Sequence, residues 1–196
     1  MAVSVSFWPP FSDEFRHRKL LAARQTSRQI ASRGVSYYDI LLAKRGINLK
    51  ALIQRVTEAS VTIEGEKVAE IGKGFLILFS VTHTDTEKLV DELAKKTVAL
   101  RIFDDENGKT NKSIVDVGGS VIVVSQFTLY ADTEHGNRPG FSTAARPELA
   151  EPLYEKFVAK MRELLGPDRV GTGRFGADMK VRLLNDGPFT IMLERS

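Results

Sequence analysis

The 196-residue chain has no cysteine and only three histidines, His17, His83 and His135. The first absence removes disulfides, thiolate-held zinc and thiol nucleophiles together. The histidines are too scattered to give metal-ligand spacing, so neither a metal nor an organic cofactor is expected. Long apolar runs are also missing. Nothing approaches the roughly 20 residues that a membrane-crossing helix needs, and no secretory apolar segment stands near the start. The expectation is a cytoplasmic protein without membrane contact. Excess charge of one sign is scarce once the chain is divided. Residues 1–48 hold eight Lys/Arg against three Asp/Glu, whereas residues 49–196 hold twenty against twenty-two. The main body therefore lacks the basic stripe that marks a gross nucleic-acid surface, and DNA is not an expected partner.

What is present reads as an ordinary globular domain, 42% apolar and 27% charged, long enough to bury a sizeable core. Residues 1–48 stand apart. They open with Phe7-Trp8-Pro9-Pro10-Phe11 and continue without lasting periodicity. Three readings fit this extension: a disordered tail, a basic transit-type leader, or upstream sequence translated from a misplaced start. The third is favoured, because a strand pattern begins directly at Leu49 and leucine can be encoded by TTG, which sometimes serves as a start codon. Residues 49–196 are the expected functional domain.

Alternating β-branched positions predict strands over 51–63 and 67–71, and apolar runs predict strands over 75–81 and within 120–130. Shorter strands are expected at 101–103 and 114–117. A capping box of Thr84 with Glu87 introduces a helix carried by Leu89, Leu93, Thr97 and Leu100. A second helix over 147–165 opens on Pro147 and stops at Gly166-Pro167, with Pro152 implying a kink or a later start. Residues 131–145 read as a long loop. Strand-like segments 179–184 and 189–193 flank Asn185-Asp186-Gly187-Pro188. Two long helices among seven or eight strands make an α+β domain, with the helices on a curled, largely antiparallel, barrel-like sheet.

Two segments attract attention as chemistry: Ser125-Gln126-Phe127-Thr128 at a strand end, and Gly187-Pro188. On composition alone the second is a hairpin turn and the first a polar strand end. Ser125-Gln126-Phe127-Thr128-Leu129, Asn185-Asp186-Gly187-Pro188-Phe189-Thr190 and the opening Ala51-Leu52-Ile53-Gln54-Arg55-Val56 together resemble the D-aminoacyl-tRNA deacylase family. Gly118-Gly119-Ser120, Arg138-Pro139 and Thr172-Gly173-Arg174-Phe175 fit the same pattern in the same order, so the resemblance covers residues 49–196. The extension departs from it.

The resemblance implies a homodimeric hydrolase that acts at the 3′ acceptor end of aminoacyl-tRNA and proofreads translation. It implies an active site at the dimer interface, with the Gly-Pro pair cis and inserted into the partner's pocket. Those roles fall on Gly187 and Pro188 for chiral selection and on Ser125, Gln126, Phe127 and Thr128 for catalysis. Phe175 and Met179 are candidates for the amino-acid pocket, with core packing as the plainer reading of both.

A threonine hydroxyl needs an adjacent base to become a nucleophile. No histidine, lysine or carboxylate lies within residues 125–128, so positioning is the favoured role for Thr128. Backbone N–H groups around Phe127 can supply an oxyanion hole. A shape filter made of main chain cannot reject glycine, so glycyl-tRNA mischarged on tRNA-Ala is an expected second substrate. Two rival readings stand beside this one: an editing domain that removes a wrong L-amino acid from tRNA, and a non-catalytic RNA-binding module.

Overall fold

The computed structural model describes residues 48–134 and 136–196. The extension before Asn48 and His135 therefore lie outside the described residues. Strand β1 (Leu49–Ile63) runs antiparallel to β2 (Glu66–Ile71) and β3 (Gly74–Ser80). Helix α1 (Glu87–Val98) and the short pair β4 (Phe103–Asp104) and β5 (Thr110–Lys112) come next. Strand β6 (Ser120–Ser125) then runs parallel to β3. Helix α2 (Pro147–Leu165) leads into β7 (Val170–Thr172), parallel to β6, and the chain ends in β8 (Met179–Arg195), antiparallel to β1. The main sheet has the order β2-β1-β3-β6-β7 with β8 on β1. It is mixed, antiparallel around β1 and parallel from β3 to β7. It curls until its outer strands meet: a Cβ built on Gly171 of β7 would lie 3.1 Å from the Ala69 Cβ of β2. The α+β class and the nearly closed, two-helix barrel follow the expectation.

Period-two alternation divides the core. Phe75, Ile77 and Phe79 of β3, with Val121 and Val123 of β6, face the two helices and meet Val90, Leu93, Phe157 and Met161. Leu76, Ile122 and Val124 face the barrel interior with Val61 and Ile63. The ring of Phe79 stacks on Phe157 with centroids 4.5 Å apart. Strands β3 and β6 approach closely because Gly74 has no side chain: a Cβ there would fall 1.7 Å from the Ser120 carbonyl oxygen.

Several local expectations are corrected. Residues 114–117 form a turn, not a strand, because the Asp116 carboxylate accepts bonds from the Ser113 N–H (2.8 Å) and hydroxyl (2.7 Å) and closes the chain on itself. Thr84 does not cap α1; Thr86 holds the N-cap position without a side-chain bond. Pro152 lies inside α2, which nevertheless begins at Pro147. Segments 179–184 and 189–193 are not two arms of a hairpin. They belong to one strand, β8, which stays on β1 throughout.

In place of a Thr84 box, Asp85 organises the turn after β3. Its carboxylate, 7% exposed, accepts from the Thr82 N–H at 2.7 Å and from the Leu49 N–H, so it ties the turn to the start of β1. Burial pushes its pKa up to about 6 against the pull of those two N–H donors. Tyr130 is the titratable neighbour that feels this carboxylate: burial first, then the charges of Asp85 and Glu194, raises its phenol. Between the ordinary carboxylate range and about 6, the folded chain holds a proton at Asp85 that the unfolded chain releases. Stability from this group is therefore fullest at the acid end and declines as pH rises through that window. The thermal midpoint of wild type minus that of Asp85→Asn is expected to be larger at pH 4.5 than at pH 7.5; a difference independent of pH would contradict this account.

Candidate active site

At the end of β6 the chain leaves the sheet through a one-turn 3-10 helix, Phe127–Tyr130. The Gln126 N–H still bonds the Phe79 carbonyl at 2.8 Å, so this exit is anchored to β3. Residues 125–127 border a cavity of about 560 Å³, open to solvent, and Thr128 is not part of its lining. Its walls include Phe79, Ser80, Ser125, Gln126 and Phe127 on the sheet side, Ala150 and Tyr154 of α2, and Phe175, Met179 and Val181 from the segment entering β8. Tyr154 is pinned there by a 3.0 Å bond from its hydroxyl to the Val123 carbonyl, and burial pushes its pKa up to about 12. The Tyr154 ring lies 5.9 Å from that of Phe175. Met179 folds over Gly173, where a Cβ would come within 2.3 Å of the Met179 sulfur. The fold thus brings Ser125, Gln126, Phe127, Phe175 and Met179 to one cavity. Phe175 and Met179 also pack against the hydrophobic clusters, so the pocket and core readings describe the same two residues.

Thr128 is exposed, and its hydroxyl accepts a 2.5 Å bond from the Gln126 side-chain amide. The N–H groups of Phe127 and Thr128 open the 3-10 turn, where backbone donors have no partner inside the helix. His83 is exposed and meets the Ser142 carbonyl at 3.0 Å; Arg138 is exposed on the loop. Asp104 ends β4, and the turn that follows is closed by the Asp105 carboxylate, which holds the N–H groups of Asn107 and Lys109. Among the described residues, no group of three histidines or carboxylates is placed to hold a metal.

Gly187 and Pro188 do not line this cavity. They are exposed on β8, and the peptide bond between them is cis. The register explains their position. Gln54 pairs with Thr190 and Val56 with Asn185, so four residues of β8 stand opposite Arg55 alone and bulge off the ladder. Arg55 props this bulge. It is 6% exposed and packed 4.2 Å from the Phe189 ring centre. Its Nε donates to the Asp186 carbonyl at 3.1 Å and pairs with the Asp186 carboxylate at 2.9 Å, while Nη1 donates to the Ile102 carbonyl at 2.5 Å. In return the Asn185 amide donates to the Arg55 carbonyl at 2.8 Å. In the sequence, Arg55 stands out only as part of the Ala51-to-Val56 motif. Its signal was a cation in the inward series Leu49, Ala51, Ile53.

The comparisons with known proteins decide what family this geometry serves. A model of the family described as D-Tyr-tRNA(Tyr) deacylase matches residues 52–194. The chain belongs to that family. Among curated relatives of the deacylase, the D-aminoacyl-tRNA deacylase of Marinobacter nauticus is 57% identical over 146 residues, 74% of this chain and 94% of the relative. That of Bacteroides thetaiotaomicron is 53% identical over 146 residues, 74% of this chain and 97% of the relative. Among solved structures, one titled c-Myc DNA Unwinding Element Binding Protein superposes with a TM-score of 0.71 at 42% identity, covering 75% of this chain and 99% of that one. A probable eukaryotic D-amino acid tRNA deacylase shares the fold, with a TM-score of 0.67 at 16% identity over 76% of this chain and 100% of that one.

Arg55 gives this deacylase-family domain a testable dependence. Arg55→Met would strand the Asp186 carboxylate and the Ile102 carbonyl, at a cost on the order of 2–3 kcal/mol. A urea-unfolding midpoint clearly below that of wild type is expected, and an unchanged midpoint would remove Arg55 as the prop of the bulge.

Proposed function

We propose that residues 49–196 hydrolyse the ester between a D-amino acid and the 3′-terminal adenosine of tRNA, in the cytoplasm, as a homodimer. The observation that supports the reading is the 3-10 exit from β6, which leaves Ser125, Gln126 and Phe127 on the wall of one cavity. In this reading the Phe127 and Thr128 N–H groups stabilise the developing oxyanion. One such donor is commonly worth about 10²–10³ in rate. Thr128 positions rather than attacks, because among the described residues its hydroxyl meets the Gln126 side-chain amide, which is no base. The ester is already reactive beside its ammonium group, and the neighbouring ribose 2′-hydroxyl orients or activates water. Chemistry then rests on positioning and electrostatics.

Chirality is read by Gly187 and Pro188 of a second copy. The pair stands away from the cavity of its own chain, on an edge strand that also exposes Leu184 (57%) and Met192 (42%). Their main-chain carbonyls occupy the space into which an L side chain would project, where a D residue presents hydrogen. Glycine escapes such a filter, which makes glycyl-tRNA a second substrate.

Matched D- and L-tyrosyl-tRNA test the reading. Wild type is expected to release D-tyrosine and spare the L-ester, and equal turnover of the two would end the proposal. Within one chain, the nearest heavy atom to a Cβ on Gly187 is the Asn185 Oδ1 at 4.0 Å, so Gly187→Ala should keep the thermal midpoint. It should nevertheless lose most activity on the D-ester, because the methyl blocks the approach of another protomer; full activity would refute the filter. Replacing the terminal 2′-hydroxyl with hydrogen, the amino acid remaining on the 3′ oxygen, should slow release more than Thr128→Ala does. The reverse order would make Thr128 the nucleophile.

A further inference from the structure

We infer that Phe127 and Phe141 form an aromatic lip that stacks the nucleobase immediately 5′ of the terminal adenosine. This positions the single-stranded acceptor end, and it rests on the function proposed above. The two rings come from different segments, one from the 3-10 turn after β6 and the other from the loop before α2. Their centroids are 5.0 Å apart at an interplanar angle of 75°. Both line the cavity, yet Phe127 is 57% and Phe141 37% exposed. Leaving two touching phenyl rings in water forgoes burial that any core position would provide.

The loop is not a free tether that happens to drop Phe141 there. Asp132 and Gly140 exchange two 2.8 Å backbone bonds across its neck. The Thr82 hydroxyl donates to the Thr143 carbonyl at 2.6 Å, and the Ala145 N–H donates to the Val81 carbonyl at 2.9 Å. Phe141 is therefore held in place before anything binds.

The occupant follows from continuity with the cavity. A space of about 560 Å³ suits the aminoacyl group and its adenosine, so the next nucleotide leaves through the mouth, past the lip. Every base offers a π face, and edge-to-face geometry leaves a phenyl face open to a third ring. Charge agrees: Arg146 lines the same mouth, and the carboxylate of Asp178 on the wall is paired with Lys180 at 3.0 Å. Base stacking on an aromatic side chain is tolerant of sequence, as a reader of every acceptor end must be.

Two ester substrates test this: D-tyrosyl-adenosine, and D-tyrosyl-cytidylyl-adenosine, which adds one nucleotide. Wild type should prefer the longer ester by about tenfold in kcat/KM, chiefly through KM. Phe141→Ala should erase that preference, Phe141→Leu should fail to restore it, and Phe141→Tyr should keep it. The inference is overturned if Phe141→Ala retains the wild-type ratio, or if leucine serves as well as phenylalanine. It is also overturned if Phe141→Ala lowers the oligomeric mass in sedimentation, since a second copy would then be what covers the lip. Cleavage of D-tyrosyl-adenosine without any gain from the added nucleotide defeats the lip alone. Cleavage of neither ester defeats the proposed function and the lip with it.

Discussion

Strand β1 is hydrogen-bonded along both edges, to β2 and β3 on one side and to β8 on the other, and the remaining elements take their places from that double ladder. A strand held on both edges cannot slip by one residue without turning its whole apolar series out of the core. The inward series Leu49, Ala51 and Ile53 faces the helices, whereas Val61 and Ile63 face the barrel interior. The change of face occurs where the pairing with β8 is irregular, around Val56. That same irregularity expels Gly187 and Pro188 from the ladder. The device proposed to read chirality is thus a by-product of how one strand bends from one core to the other.

Arg55 makes the bend tolerable. A guanidinium in an inward position would be costly without partners, and here the bulge supplies them through the Asp186 carbonyl and carboxylate. The two features require each other: the bulge leaves polar groups that need a donor, and the cation needs acceptors that a regular ladder would already have consumed. The cavity depends on a different constraint. Parallel pairing of β3 with β6 fixes where β6 ends, and the Gln126 bond to the Phe79 carbonyl fixes how the chain leaves. The 3-10 turn then starts on the wall of a cavity that α2 and the start of β8 also line.

Much of the architecture was legible in the residues. Strand β1 announced itself by period-two alternation and β3 and β6 by apolar runs, and α2 by its spacing and its Pro147 start. Segment 114–117 misled because three apolar residues suggested a strand while the Asp116 side chain chose a turn. The Thr84 box misled because a motif of four residues cannot reveal that Asp85 is needed elsewhere, at the start of β1. The Asn-Asp-Gly-Pro segment has the composition of a hairpin. Only pairing with a strand 130 residues earlier shows that its two flanks run in the same direction.

Composition, alternation and motif order by themselves determined the α+β class and the family the chain resembles. These depend on local periodicity and on side-chain chemistry, which a linear string carries in full. Tertiary structure alone decided that Ser125, Gln126, Phe127, Phe175 and Met179 share a cavity that Gly187 and Pro188 do not line, and that Arg55 supports the Gly-Pro bulge from within the fold. It also brought Phe127 and Phe141 together at the cavity mouth. Each of these is a meeting of segments far apart in the chain, and such meetings are set by register, curl and packing, which act only once the sheet has closed.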